Sequence, residues 1–146
     1  MLAKTYKQDT GYKYLFMKSL LITGLSGVGK TSIADLIQRK YETINKVITY
    51  TTRKPRIDEI NGVHYHFITV DEYLIFVRDN QFLDKRKIFG NYYGIRKKDI
   101  EHITNKGLIP LIVVDIDGAR EILKHVQCIS ILITFHHTHY LHPSSA

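Results

Sequence analysis

The sequence predicts an α/β domain in which a mainly parallel sheet is flanked by helices on both faces and carries one small insertion. Three observations lead there. A short apolar run over residues 19–23 passes through a glycine loop directly into a stretch with helical spacing. Further apolar runs over 46–50, 108–114 and 128–134 alternate with segments that include helical patterns. A length of 146 residues suits one domain able to bury roughly two-thirds of its unfolded surface.

Residues 1–17 read as an N-terminal extension, with Lys4, Lys7 and Lys13 among Tyr6, Tyr12, Tyr14 and Phe16 and no clear period. Its alternative is a weak targeting peptide, disfavoured by the lack of arginine. The domain then runs over 18–135. Gly24, Gly29, Lys30 and Thr31 fit G-x-x-x-x-G-K-[ST]. In that pattern glycines let backbone N–H groups face phosphate, the lysine reaches the outer phosphate oxygens and the threonine hydroxyl sits on Mg²⁺. The following helix, with Ile33, Ala34, Leu36, Ile37 and Tyr41 at apolar positions, aims its positive dipole end at the same anion. A glycine turn with an incidental lysine is the plainer alternative, and the strand and helix on either side argue against it.

After the strand at 46–50 comes Thr51-Thr52-Arg53-Lys54-Pro55-Arg56, followed by Glu59, Gly62, Tyr65 and Phe67. Arginine forks spaced three apart beside a proline suit a fixed anion clamp, since guanidinium grips phosphate oxygens in pairs. An exposed basic loop would leave the downstream spacing unexplained.

Taken in order, GLSGVGKTS, TTRKPR, E-x-x-G-x-x-Y-x-F at Glu59 to Phe67, FGNYYG at Phe89 to Gly94 and DID at Asp115 to Asp117 resemble the guanylate kinase family, over about residues 20–131. The resemblance implies the fold of P-loop nucleoside monophosphate kinases, with a GMP-binding part at about 49–96. It implies phosphoryl transfer from ATP to GMP, giving ADP and GDP, with Mg²⁺ accompanying ATP. The donor phosphates are then assigned to Gly24, Ser26, Gly27, Val28, Gly29, Lys30, Thr31 and Ser32. GMP is assigned to Thr49, Arg53, Arg56, Tyr65, Asp84, Tyr93 and Asp117. Catalysis falls to Lys30, Arg53, Arg56 and Asp117, and Mg²⁺ to Thr31 and Asp115.

The chain also departs from the family. Asp84 stands where a glutamate receives the guanine N–H groups, one methylene shorter. Ile95 and Arg96 follow Gly94, where small hydroxyl residues are common, while Thr49 keeps a hydroxyl in place of serine. Gly118 follows Asp117 at once, two residues early. The family's lid, with its arginines, comes after this region, and the chain is expected to be truncated before that lid and the C-terminal helices. Only Arg120 and Lys124 are basic candidates soon after Asp117, so impaired turnover is expected; an arginine at such a transition state contributes about 10³ to 10⁵ in rate.

The remaining elements follow from periodicity. Thr69 or Asp71 caps a helix over 71–80 with Tyr73, Leu74 and Val77 inward. Phe89 to Gly94 reads as a turn carrying two aromatics, with Tyr92 in cross-strand packing. A helix over 97–106 buries Ile100 and Ile103 and ends at Gly107. The buried strand 108–114 delivers Asp115 and Asp117, a helix covers 119–125 and the last strand 128–134. Residues 136–146, with His136, His137, His139 and His142, read as a disordered tail. No cysteine or carboxylate there completes a metal set.

One cysteine, Cys128, excludes an internal disulfide and suits a reducing compartment, as apolar filler in a strand. No apolar run approaches the ~18 residues of a membrane span, and no secretory signal opens the chain, so a soluble, cytoplasmic protein is expected. A net charge of +7 calls for anionic partners. ATP and GMP meet that need. Two other uses compete with catalysis. One is a non-catalytic nucleotide- or partner-binding module, disfavoured by the intact phosphate loop. The other is nucleic-acid binding through Arg53, Arg56, Lys85, Arg86, Lys87, Arg96, Lys97 and Lys98, disfavoured for want of a recognised motif.

Overall fold

The computed structural model describes residues 19–135. The expected extension over 1–17 and the histidine-rich tail over 136–146 lie outside the described residues. Twelve elements run in the order β1 (Ser19–Gly24), α1 (Lys30–Lys40), β2 (Ile44–Lys46), β3 (Tyr50–Thr51), β4 (His66–Phe67), α2 (Val70–Arg78), β5 (Phe82–Ile88), β6 (Asn91–Arg96), α3 (Lys97–Asn105), β7 (Ile109–Val113), α4 (Ile116–Leu123) and β8 (Cys128–Ile133).

They form two four-stranded sheets. In the first, ordered β2-β7-β1-β8, every pairing is parallel. Strands covered on both faces are apolar throughout rather than alternating. So it is here: Leu21 and Ile112 face one core with Ile100, Ile103, Ala119 and Ile122, while Ile22 and Leu111 face Ala34 of α1 on the other side. β8 closes the sheet as an edge, with Ile129 and Leu132 exposed. Cys128 is half-buried against the main core, and burial pushes its thiol up to about 11, consistent with a packing role. Among the described residues no helix is long and apolar enough to cross a membrane.

The second sheet, β4-β3-β6-β5, is antiparallel except for the β3–β4 pair. On one of its faces Tyr50, Tyr73 and Phe82 form an aromatic core, in which Tyr73 stacks on Tyr92 with ring centroids 4.9 Å apart. Its other face carries Ile95 into the main core, joining the two sheets through one cluster.

Several boundaries differ from expectation for local reasons. The run at 46–50 is not one strand. Ile44–Lys46 pairs with β7, whereas Tyr50–Thr51 pairs with β6, so the chain changes sheets between them. Val47 gives its N–H to Leu111 and Thr49 offers its carbonyl to His66, which satisfies the backbone through the crossing. α2 begins at Val70 because Thr69 and Glu72 form a reciprocal capping box, and Asn80 at φ 50° turns the chain out after it. The turn expected over Phe89 to Gly94 is confined to Phe89 and Gly90, both with positive φ, and residues from Asn91 onward are strand. α4 begins at Ile116 rather than 119, because the Asp115 side chain accepts from the Gly118 N–H at 2.9 Å and caps the helix.

Candidate active site

The glycine loop joins β1 to α1 at the C-terminal end of a parallel strand, where α/β sheets leave room for ligands. Gly24 has φ 150°, and a Cβ there would lie 2.2 Å from the Ile133 carbonyl oxygen of the neighbouring edge strand. Only glycine lets the loop leave the sheet at that point. Ser26 and Gly27 are exposed, Val28 is half-buried, and Gly29 supplies the left-handed residue from which α1 starts. Lys30 folds back over the loop and donates to the Gly24 and Leu25 carbonyls at 2.9 and 2.6 Å. Burial lowers its pKa, an effect opposed by the charge of Asp115. Thr31 and Ser32 are exposed in the first turn of α1, which contains no acidic residue to offset its positive end.

Arg53 lies at the start of the second functional group. Its Nη2 meets Glu59 Oε1 at 2.7 Å, its Nη1 donates to the Lys54 carbonyl at 2.8 Å, and its guanidinium lies 5.4 Å from the Tyr65 ring and 5.8 Å from the Phe67 ring. The other oxygen of Glu59 accepts the Arg56 backbone N–H at 2.8 Å. One carboxylate therefore ties both clamp arginines to the same loop. The Arg53 hydrogen bond first, and the Arg56 N–H second, hold Glu59 down to about 2. Tyr65 and Tyr93 approach edge to face at 6.2 Å, and burial raises the Tyr65 hydroxyl above its ordinary value. The structure thus brings together Arg53, Tyr65 and Tyr93 and reaches Arg56 through its backbone; the Arg56 side chain is exposed. Thr49 is half-buried, with its carbonyl bonded to His66.

A third group connects the two sheets. Asp84 is 1% exposed, and its Oδ2 takes Arg86 Nε at 3.0 Å and Nη2 at 2.9 Å. Arg86 also pairs through Nη1 with Asp115 Oδ1. Burial raises Asp84 above the usual carboxylate range, and Arg86 opposes the shift. Asp117 is not part of this group: it sits in the first turn of α4, 78% exposed, paired with Arg120 at 3.0 Å. Nor do Ile95 and Arg96 share one surface. Ile95 is fully buried in the main core, while Arg96 turns to the opposite face, 4.1 Å over the Phe76 ring and bonded to Gln81 and Tyr50.

Among the described residues no group of His, Cys, Asp and Glu side chains is large enough to hold a metal alone. The oxygen donors fit Mg²⁺ arriving on a triphosphate, which keeps several waters. Thr31 offers an exposed hydroxyl; Asp115, already engaged by Gly118 and Arg86, suits contact through water.

Comparison with known proteins bears on this arrangement. The family model described as guanylate kinase matches residues 16–142. The chain belongs to the guanylate kinase family. Similar proteins include the guanylate kinase of Rickettsia bellii, 41% identical over 115 residues that cover 78% of this chain and 60% of that protein. The guanylate kinase of Clostridium perfringens is 34% identical over 122 residues, 84% of this chain and 54% of that one. A solved guanylate kinase from Anaplasma phagocytophilum superposes with a TM-score of 0.64 at 25% identity, covering 80% of this chain and 60% of that chain. The chain thus spans little more than half the length of these guanylate kinases, and its fold is that of P-loop nucleoside monophosphate kinases.

Two charged residues that the structure places among the candidate site residues, Glu59 and Arg86, are not candidates in the sequence reading. Glu59 was visible only as a motif position, although a glutamate three after one arginine and six after another is a readable partner. Arg86 belongs to the basic patch of the sequence reading; its place two after Asp84 on a strand is a local sign that the two share a face, whereas its partner Asp115 is distant in the chain.

Proposed function

We propose that this domain binds GMP and Mg²⁺–ATP and transfers the terminal phosphoryl group of ATP to a GMP phosphate oxygen, releasing ADP and GDP. The observation that carries the reading is the meeting of two sides at Asp115. Its charge acts on Lys30 of the phosphate loop, and its carboxylate meets Arg86 from β5 of the second sheet. The loop suited to a triphosphate and the sheet that carries Tyr93 of the monophosphate clamp, opposite Arg86, thus approach one carboxylate.

In this reading Lys30 exchanges the Gly24 and Leu25 carbonyls for phosphate oxygens, and the exposed N–H groups at the start of α1 take the rest. Arg53, Arg56, Tyr65 and Tyr93 hold the acceptor phosphate, with Arg53 aligned by Glu59 and the aromatic rings beneath it. Thr31, with Asp115 through water, would hold Mg²⁺, which would supply charge neutralisation during the transfer. Such catalysis is positioning and positive charge rather than covalent chemistry. A cytoplasmic location goes with the reading. Nucleic-acid binding is disfavoured because Arg86 and Arg96 are drawn inside rather than spread on one surface.

The 146-residue chain turns over slowly in this reading, because Arg120 and Lys124, the nearest cations after Asp117, are paired with Asp117 and Glu121. The same pairing favours a second reading, nucleotide binding without useful turnover. A coupled ADP-release assay with GMP, AMP or no acceptor separates the two. Weak GMP-dependent release supports the kinase, no ADP release above background with or without an acceptor supports the binding module, and robust GMP turnover removes the claim of impairment. Calorimetry on Arg53→Ala should show GMP weakened much more than ATP. Equal losses would count against the clamp.

A further inference from the structure

We infer that Arg86 sets the base specificity of the acceptor site: its guanidinium occupies the Asp84 carboxylate that a guanine edge would need, so the site accepts purine monophosphates without reading the 2-amino group. This rests on the acceptor role proposed above for the second sheet.

The register of the β5–β6 pair places the residues. Asp84 lies opposite Ile95 and Arg86 opposite Tyr93, so Asp84, Arg86 and Tyr93 share one face of the hairpin. On that face the Arg86 Nε–H and Nη2–H both reach Asp84 Oδ2, and Nη1 reaches Asp115 Oδ1. The second oxygen of Asp84 and the Arg86 Nη1 are both buried without a hydrogen-bond partner among the described residues, so Nη1 and Asp115 meet as an ion pair alone. Guanine would offer a carboxylate two neighbouring donors, N1–H and the 2-amino group. A guanidinium offers the same pattern with a full charge, which makes stronger bonds.

Displacing Arg86 is unfavourable on two counts. It would strand Asp84, 1% exposed, and an unpaired carboxylate in a buried setting costs more than neutral donors return. It would also have to move a side chain that is already housed. A Cβ on Gly118 would lie 2.8 Å from Arg86 Cζ and from Nη2, so α4 presents its glycine where the guanidinium passes. With Arg86 held there, the purine ring packs beside the Asp84–Arg86–Asp115 group, and recognition rests on the phosphate clamp.

GMP and IMP differ by the 2-amino group alone, which makes them the test. Calorimetry on the full chain should give affinities for the two within about threefold, whereas a site reading that group through a carboxylate separates them by about tenfold or more. Arg86→Met, which keeps the apolar stem and removes the donors, should open the ratio to about tenfold in favour of GMP. Arg86→Lys, which keeps a charge but loses the fork, should open it less and serves if the Met variant does not fold. A wild-type preference for GMP of tenfold or more overturns the inference, as does an unchanged ratio in a folded variant. If neither nucleotide binds, or if Arg53→Ala leaves binding unaltered, the GMP reading falls and takes this inference with it.

Discussion

Replacing Glu59 by Gln tests how far one carboxylate holds the acceptor clamp. Both of its oxygens are used, Oε1 by Arg53 Nη2 at 2.7 Å and Oε2 by the Arg56 N–H at 2.8 Å. A glutamine keeps one acceptor and turns its amide toward the other partner, so one bond becomes donor against donor. Charge-assisted bonds contribute about 1.5–3 kcal/mol when sealed, and exposed ion pairs about 0–1 kcal/mol. The two side chains are 19% and 15% exposed. The expected loss of stability lies between those limits, about 1–2 kcal/mol. Because about 1.4 kcal/mol is a factor of ten, a clamp that must be re-formed on binding loses about tenfold in GMP affinity. ATP, assigned to the glycine loop in the proposed function, should change less than about twofold. The pH dependence carries its own sign. Glu59 is held down from 4.5 to about 2. Its contribution is therefore complete above pH 4.5 and is lost as the pH falls toward 2. Urea unfolding across that window should show a shallower acid limb for Glu59→Gln than for wild type. Titration calorimetry reads the two nucleotides. Unchanged GMP affinity, or equal losses for GMP and ATP, would refute the argument that Glu59 organises the clamp.

Other perturbations separate the loop from the fold that carries it. Lys30→Ala should abolish the ATP-induced rise in melting temperature while leaving the GMP-induced rise in place, because the lysine bonds only to loop carbonyls at 2.9 and 2.6 Å. Gly24→Ala drives a methyl to 2.2 Å from the Ile133 carbonyl at φ 150°, and should destabilise the fold by about 2–4 kcal/mol in denaturant titrations. Ile112→Ala, which empties a fully buried position between β7 and the α3–α4 layer, should cost about 2–5 kcal/mol in the same titration.

The sequence by itself determined the parts whose causes are local. The apolar run into Gly24, the helical spacing after Lys30 and the arginines around Pro55 depend on neighbours within a turn or a strand, so periodicity and spacing read them. The same holds for Ile100 and Ile103 and for the cap at Thr69, where the choice between two candidate residues fell to a capping box. Boundaries failed where a distant partner intervened. The stretch at 46–50 divides because β7 takes one end and β6 the other. Only the tertiary structure decided the charge arrangement. Asp84, Arg86 and Asp115 come from β5 and from the cap of α4, and they meet because the hairpin packs against that helix. Arg96, on the opposite face of the same hairpin from Arg86, is instead enclosed by Tyr50 and Phe76. The physical reason is that a charged side chain's role is set by which partners share its desolvated surroundings, and residues so far apart along the chain are brought together only by packing.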